Sequence, residues 1–105
     1  MRVYLDDERP APEGWTLVKT TAEAVCMLLT YDVVTLSLDH DLGDSPYVGN
    51  GYDVLLWIEE QVALNGFEPP LIFIHSANAG ARPKMEAAVK SIYNIYSQVK
   101  HGKSK

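Results

Sequence analysis

Three short apolar runs each stop on residues suited to chemistry, and this most constrains what the chain can fold into. Val3-Tyr4-Leu5 runs into Asp6-Asp7, residues 33–38 run into Asp39-His40-Asp41, and residues 71–74 run into His75-Ser76. Between them lie segments of helical period. Thr20-Thr21-Ala22-Glu23 has the form of a capping box, with Thr20 as N-cap and Glu23 reaching back to its amide. It opens a helix expected to bury Ala24, Val25, Leu28 and Leu29 and to end near Tyr31. Residues 52–65 read as a second helix, with Val54, Leu55, Ile58 and Val62 on one face and Gly66 ending it. Met85, Ala88, Val89, Ile92, Tyr96 and Val99 mark the inner face of a long last helix.

Near-continuous apolar strands alternating with helices predict an α/β fold with a parallel sheet. The expectation is a small, doubly wound, mainly parallel four-stranded sheet with helices on both faces. A fourth, brief strand is expected over residues 15–19. Its connection from Asp7 is only seven residues long and carries Pro10, Pro12 and Gly14, so it cannot hold a helix. Seven extended residues span about 23–25 Å, enough to run back along a short sheet and keep the strands parallel. An antiparallel strand is the competing choice. The chain of 105 residues fits one domain over 1–100 and a basic tail over 101–105.

Composition excludes several classes. One cysteine, Cys26, permits neither an internal disulfide nor a cysteine-built metal centre. No apolar run approaches the roughly 20 residues of a membrane span. The acidic start at Asp6-Asp7-Glu8 is unlike a secretory signal, so a cytoplasmic setting is expected. A formal charge of −5 disfavours a sequence-independent grip on nucleic acid.

In an open parallel sheet the carboxyl ends of the strands share one edge, and ligands bind in the crevice outside them. Asp6, Asp7, Asp39 and Asp41 would then meet there. Four carboxylates repel one another unless a cation intervenes. A hard divalent ion, Mg²⁺ or Mn²⁺, suits such an oxygen donor set. His40 and His75 are candidates for proton transfer, with Asp39 as the third catalytic candidate. Ser76, Asn78 and Arg82 are candidates for phosphate contacts. Each has a plainer alternative: a solvated acid or arginine, a surface loop histidine at His40, a satisfied core histidine at His75. Asp44 and Asp53 suit the turn and the helix start, and Trp57, Tyr93 and Tyr96 suit packing.

An acidic pair after the first strand, an aspartate after a middle strand and a serine after the next resemble the layout of response-regulator receiver domains, a flavodoxin-like fold. This chain differs in a loop at residues 9–14 where receivers have their first helix, and in lacking a fifth strand with its lysine. The wording of the motifs resembles a narrower family more closely. Leu5-Asp6-Asp7-Glu8-Arg9-Pro10 with Pro12 and Gly14-Trp15, residues 37–43 (SLDHDLG), Gly51-Tyr52-Asp53, and His75-Ser76-Ala77-Asn78 with Arg82 and Met85 are similar to the cyclic-phosphate processing receiver domain. The resemblance implies a truncated receiver fold and action on cyclic phosphates, including RNA ends in repair or phage–host conflict. The expected activity is metal-dependent opening of a cyclic phosphodiester, such as a 2′,3′-cyclic nucleotide. A non-catalytic sensor of a phosphorylated or cyclic-nucleotide ligand and a receiver-type phosphoacceptor at Asp39 are the other readings. Partners are then a small phosphorylated substrate or an RNA end, and no membrane.

Overall fold

A computed structural model describes residues 1–42 and 49–102. In chain order its elements are β1 (Arg2–Leu5), β2 (Thr16–Val18), α1 (Thr21–Thr30), β3 (Thr35–Leu38), α2 (Gly51–Asn65), β4 (Leu71–Ile74) and α3 (Arg82–Gly102). The strands form one sheet in the order β2-β1-β3-β4, and every pair is parallel. The short proline-containing connection from β1 therefore does run back along the sheet, and the antiparallel choice falls away. Pro12 and Gly14 make its turn, with Trp15 N–H donating to the Pro12 carbonyl and Gly14 at φ 85.

Strand period decides where the core lies. Val3 and Leu5, Val18, Leu36 and Leu38, and Ile72 point to the helices and are buried. Their neighbours Leu17, Leu71 and Phe73 point away and are exposed. The β2→β3 and β3→β4 crossovers step across the sheet in the same direction, so right-handed connections put α1 and α2 on one face. The third helix packs along α2 and so shares that face, since helices on opposite sides would be parted by the sheet. The three helices thus form one layer, and the expectation of helices on both faces is corrected. The physical reason is the β1–β2 connection, whose prolines exclude the helix that would cover the second face.

The helix ends follow their local chemistry. Thr20 caps α1 by accepting from Glu23 N–H at 3.1 Å, while Glu23 reaches back to Lys19 N–H and the Thr20 hydroxyl rather than to the Thr20 amide. Ala24 and Leu28, four apart, are the buried pair; Val25 is half-buried, and Leu29, rotated a further 100° or so, is 69% exposed against expectation. Asn50 and Asp53 form a reciprocal capping box at the start of α2, and Gly66 ends it in the left-handed region at φ 66. Val54, Leu55, Ile58 and Val62 are all buried, as their spacing predicts. Met85 and Ile92 bury the face of α3. Tyr93 on that helix blunts the sheet edge, its hydroxyl accepting from Ile72 N–H at 3.0 Å and donating to the Pro70 carbonyl at 2.7 Å. Trp57 packs edge-on against Phe67.

The final helix runs into residues 101 and 102 of the expected tail, and residues 103–105 lie outside the described part. So does the turn-rich stretch 43–48 with Asp44 and Pro46. Among the described residues, no helix is long and apolar enough to cross a membrane.

Candidate functional site

The sheet ladder continues one residue past β1, β3 and β4. Asp6 N–H donates to Val18 O, Asp39 N–H to Leu5 O, and His75 N–H to Leu38 O, at 3.0–3.1 Å. Asp6, Asp39 and His75 therefore stand side by side in one row across the carboxyl edge. Each offers an atom within 4.8 Å of the others. Sequence reasoning required only that they share an edge; continued strand register makes them neighbours.

Asp6 is 1% exposed, and both of its carboxylate oxygens are hydrogen-bonded. Its Oδ1 accepts from the backbone N–H of Glu8 (2.8 Å) and Arg9 (2.9 Å), and its Oδ2 lies 3.1 Å from His75 Nε2. Burial alone would raise its pKa, but the Arg9 and Glu8 amides and His75 outweigh that and hold it below the usual carboxylate value. His75 is shifted down, first by burial, which the Asp6 and Asp39 carboxylates only partly oppose. Its other ring nitrogen, Nδ1, lies 2.7 Å from Ser37 Oγ, and Tyr4 stacks on the ring at 4.1 Å and 3°. His75 is thus satisfied on both nitrogens while facing the edge.

A second cluster adjoins the first. Asp39 Oδ1 accepts from His40 N–H at 2.8 Å. His40 Nδ1 lies 2.7 Å from Asp41 Oδ1, and Asn78 Nδ2 reaches both Asp41 oxygens at 3.4 Å. The His40 contact first, and Asn78 after it, hold the Asp41 pKa below its usual value against a small burial effect. Among the described residues, His40 Nε2 makes no hydrogen bond. The Asn78 side-chain oxygen Oδ1 accepts from Gly80 and Ala81 N–H, which fixes the turn into α3.

Asp6, Asp7, Glu8, Arg9, Asp39, Asp41 and Ala77 line a cleft of about 400 Å³. Five of these seven are acidic and Arg9 is the one cation, held at the mouth by a bond from its Nη1 to the His75 carbonyl at 2.9 Å. Of the residues expected to contact phosphate, Asn78 reaches the cleft residue Asp41, while Ser76 and Arg82 are not among the residues that line the cleft. Ser76 is buried and its hydroxyl accepts from Asn78 N–H. Arg82 donates to the Ser76 carbonyl and lines the groove between β4 and α3 with Glu86 and Val89. Arg9, Ser37 and Tyr4 are additions to the sequence-derived site. Arg9 was signalled by its place beside Asp6-Asp7, whereas Ser37 and Tyr4 are brought to the site by strand register.

The donor set fits a hard divalent cation. Asp39 keeps one oxygen, and Asp7 its whole carboxylate, without a hydrogen bond among the described residues, and Asp6 Oδ2 has one bond and a further lone pair. His75 Nε2 belongs to Asp6 in this arrangement, so the carboxylates are the natural ligands.

A parallel α/β sheet with an aspartate row and an acidic cleft at its carboxyl edge defines a receiver-like domain. The chain belongs to the cyclic-phosphate processing receiver domain family, whose model matches residues 1–91. No curated protein and no solved structure matches it.

Proposed function

We propose that the protein is a metal-assisted phosphoesterase that opens cyclic phosphodiesters, with 2′,3′-cyclic nucleotides or RNA ends as substrates. The observation that carries this reading is the convergence of Asp6, Asp7, Asp39 and Asp41 with Arg9 on one cleft in a chain of this family. An anionic phosphate does not enter five carboxylates unaided, so Asp6, Asp7 and Asp39 would hold Mg²⁺ or Mn²⁺. When bound, such an ion offsets phosphate charge and lowers the pKa of a coordinated water.

The chain's own residues supply the rest. Arg9 reaches non-bridging phosphate oxygens from the mouth of the cleft. His40, oriented by Asp41 at Nδ1, transfers protons through Nε2. In the reaction a water oxygen forms a bond to phosphorus and one ring P–O bond breaks. The water gives up a proton, the departing sugar oxygen gains one, and a phosphomonoester results. His75 orients Asp6.

The test is phosphorus NMR on a panel of 2′,3′- and 3′,5′-cyclic nucleotides with Mn²⁺, Mg²⁺ or chelator. Metal-dependent opening of one ring class by the wild type, lost in Asp39→Asn, is expected. Shifts without turnover point instead to a binding module, and a mass gain of one phosphoryl group with acetyl phosphate points to a phosphoacceptor at Asp39.

A further inference from the structure

We propose that Ser37 is a positioning residue for His75: its hydroxyl donates to Nδ1 and so fixes the imidazole with its proton on Nε2, aimed at Asp6. Ser37 lies inside β3 and is buried at 6% exposure, on the sheet face that carries no helix. A serine hydroxyl both donates and accepts, so the 2.7 Å contact alone does not say which way its proton points.

The surrounding groups decide it. Asp6 Oδ1 accepts two backbone N–H groups, which bind an ionised carboxylate and leave Asp6 with nothing to donate. At 3.1 Å from Asp6 Oδ2, His75 Nε2 must therefore carry the hydrogen, because a bare nitrogen would set its lone pair against a negative oxygen. A neutral imidazole protonated at Nε2 has an acceptor at Nδ1, and Ser37 Oγ is its donor. The chain of donors then runs from Ser37 through His75 to Asp6. Two further contacts hold this residue, one on its ring and one on its backbone. Tyr4 stacks flat on it at 4.1 Å, and Arg9 Nη1 bonds the His75 carbonyl at 2.9 Å.

The consequence reaches the cleft through Asp6. With Oδ1 held by two amides and Oδ2 by the Nε2 proton, the carboxylate plane is fixed from three directions. Ser37 touches neither the cleft nor a substrate; it acts by preventing the ring from turning away. This inference concerns the resting cleft and holds whether or not cyclic phosphates are the substrates.

The tautomer is read directly by two-bond ¹H–¹⁵N correlation of the His75 ring in ¹⁵N-labelled full-length protein, in chelator, well above the ordinary histidine pKa of 6.5. The expected spectrum has a pyrrole-type Nε2 and a pyridine-type Nδ1, with the Nε2 proton slow enough in exchange to be seen. The reverse pattern, or an averaged pair, overturns the proposal, and this measurement needs no variant. In Ser37→Ala the Nε2 proton is expected to exchange about fivefold faster, the equivalent of about 1 kcal/mol for one hydrogen bond. Ser37→Thr, which keeps the hydroxyl, is expected to restore slow exchange. Unchanged exchange in a folded Ser37→Ala protein also overturns the proposal.

Discussion

Asp6 and His75, 69 residues apart in sequence, meet at 3.1 Å across the carboxyl edge of the sheet. The contact joins the first strand to the last, and it exists because β1, β3 and β4 stay in register one residue beyond their ends. Its two partners are matched in protonation: a carboxylate held ionised by two amides and an imidazole held neutral by burial. That pairing makes the edge sensitive to acid.

The sign of that sensitivity follows from the folded-state pKa of His75 lying below 6.5. As pH falls from 6.5 toward the folded value, the unfolded chain takes up a proton that the folded chain refuses, so stability declines across that window. Above 6.5 the contribution is fully present. The depressed pKa of Asp6 adds a second loss that begins only below 3.8. Urea unfolding in chelator, repeated across this range, is expected to show the decline as pH falls below 6.5 in the wild type and a flatter profile there in His75→Asn. Parallel profiles would mean that His75 titrates alike in both states.

Asp39 keeps one oxygen without a hydrogen bond among the described residues, and it stands beside Asp6. If the carboxylates hold the cation, Asp39→Asn removes a ligand charge at the centre of the set. Even outer partners of metal ligands are worth about 10–100-fold in affinity, so a loss of at least that order is expected in Mn²⁺ calorimetry. His40→Ala preserves the backbone N–H that bonds Asp39 and is expected to change Mn²⁺ affinity by less than about tenfold. Equal losses in both variants would place the cation elsewhere.

Arg9, in the loop after β1, and Arg82, at the start of α3, separate sharply in space. Arg9 stands in the acidic cleft, whereas Arg82 is tied to the Ser76 carbonyl beside the β4–α3 groove. Arg9→Ala is expected to raise KM for a cyclic phosphate by roughly tenfold or more, the worth of one charge-assisted hydrogen bond at about 1.5–3 kcal/mol. Arg82→Ala is expected to leave KM within about twofold, as surface substitutions usually shift energies by under about 0.5 kcal/mol. A reversed order in steady-state kinetics would restore Arg82 to the site.

Much of this was legible because it rests on local rules. The strands are written as apolar runs and the end of α2 as Gly66, and each formed where its residues dictate; Asp53 suits the helix start in the sequence, and the structure adds its reciprocal capping box with Asn50. The length of the β1–β2 connection permitted parallel order without requiring it, and the pairing register settled it. What the sequence withheld depends on pairing register and on side-chain reach. Ser37 and Tyr4 look like ordinary strand residues until the register sets them beneath His75. Arg82 sits six residues after Ser76, but the turn at Asn78 swings it to the far side of β4. The single helix layer was likewise hidden, because handed crossovers place helices by strand order and strand order is not written in the residues.

Gly51 links the packing of α2 to the geometry of the site. It opens the helix directly against the backbone of Asp39, and its N–H donates to the His40 carbonyl at 3.1 Å. A Cβ at this position would overlap the Asp39 carbonyl oxygen and crowd the Met85 methyl, so the close approach requires glycine although its φ does not. Gly51→Ala gains helix propensity of up to about 1 kcal/mol, but overpacking against fixed backbone costs about 1–3 kcal/mol. Net destabilisation is therefore expected in urea unfolding, together with weaker Mn²⁺ binding as Asp39 is pushed out of line with Asp6. A control substitution at exposed Leu64, on the same helix and far from its start, is expected to leave Mn²⁺ affinity unchanged. If Gly51→Ala lowered stability yet bound Mn²⁺ as the wild type does, the position of Asp39 would not be what α2 fixes.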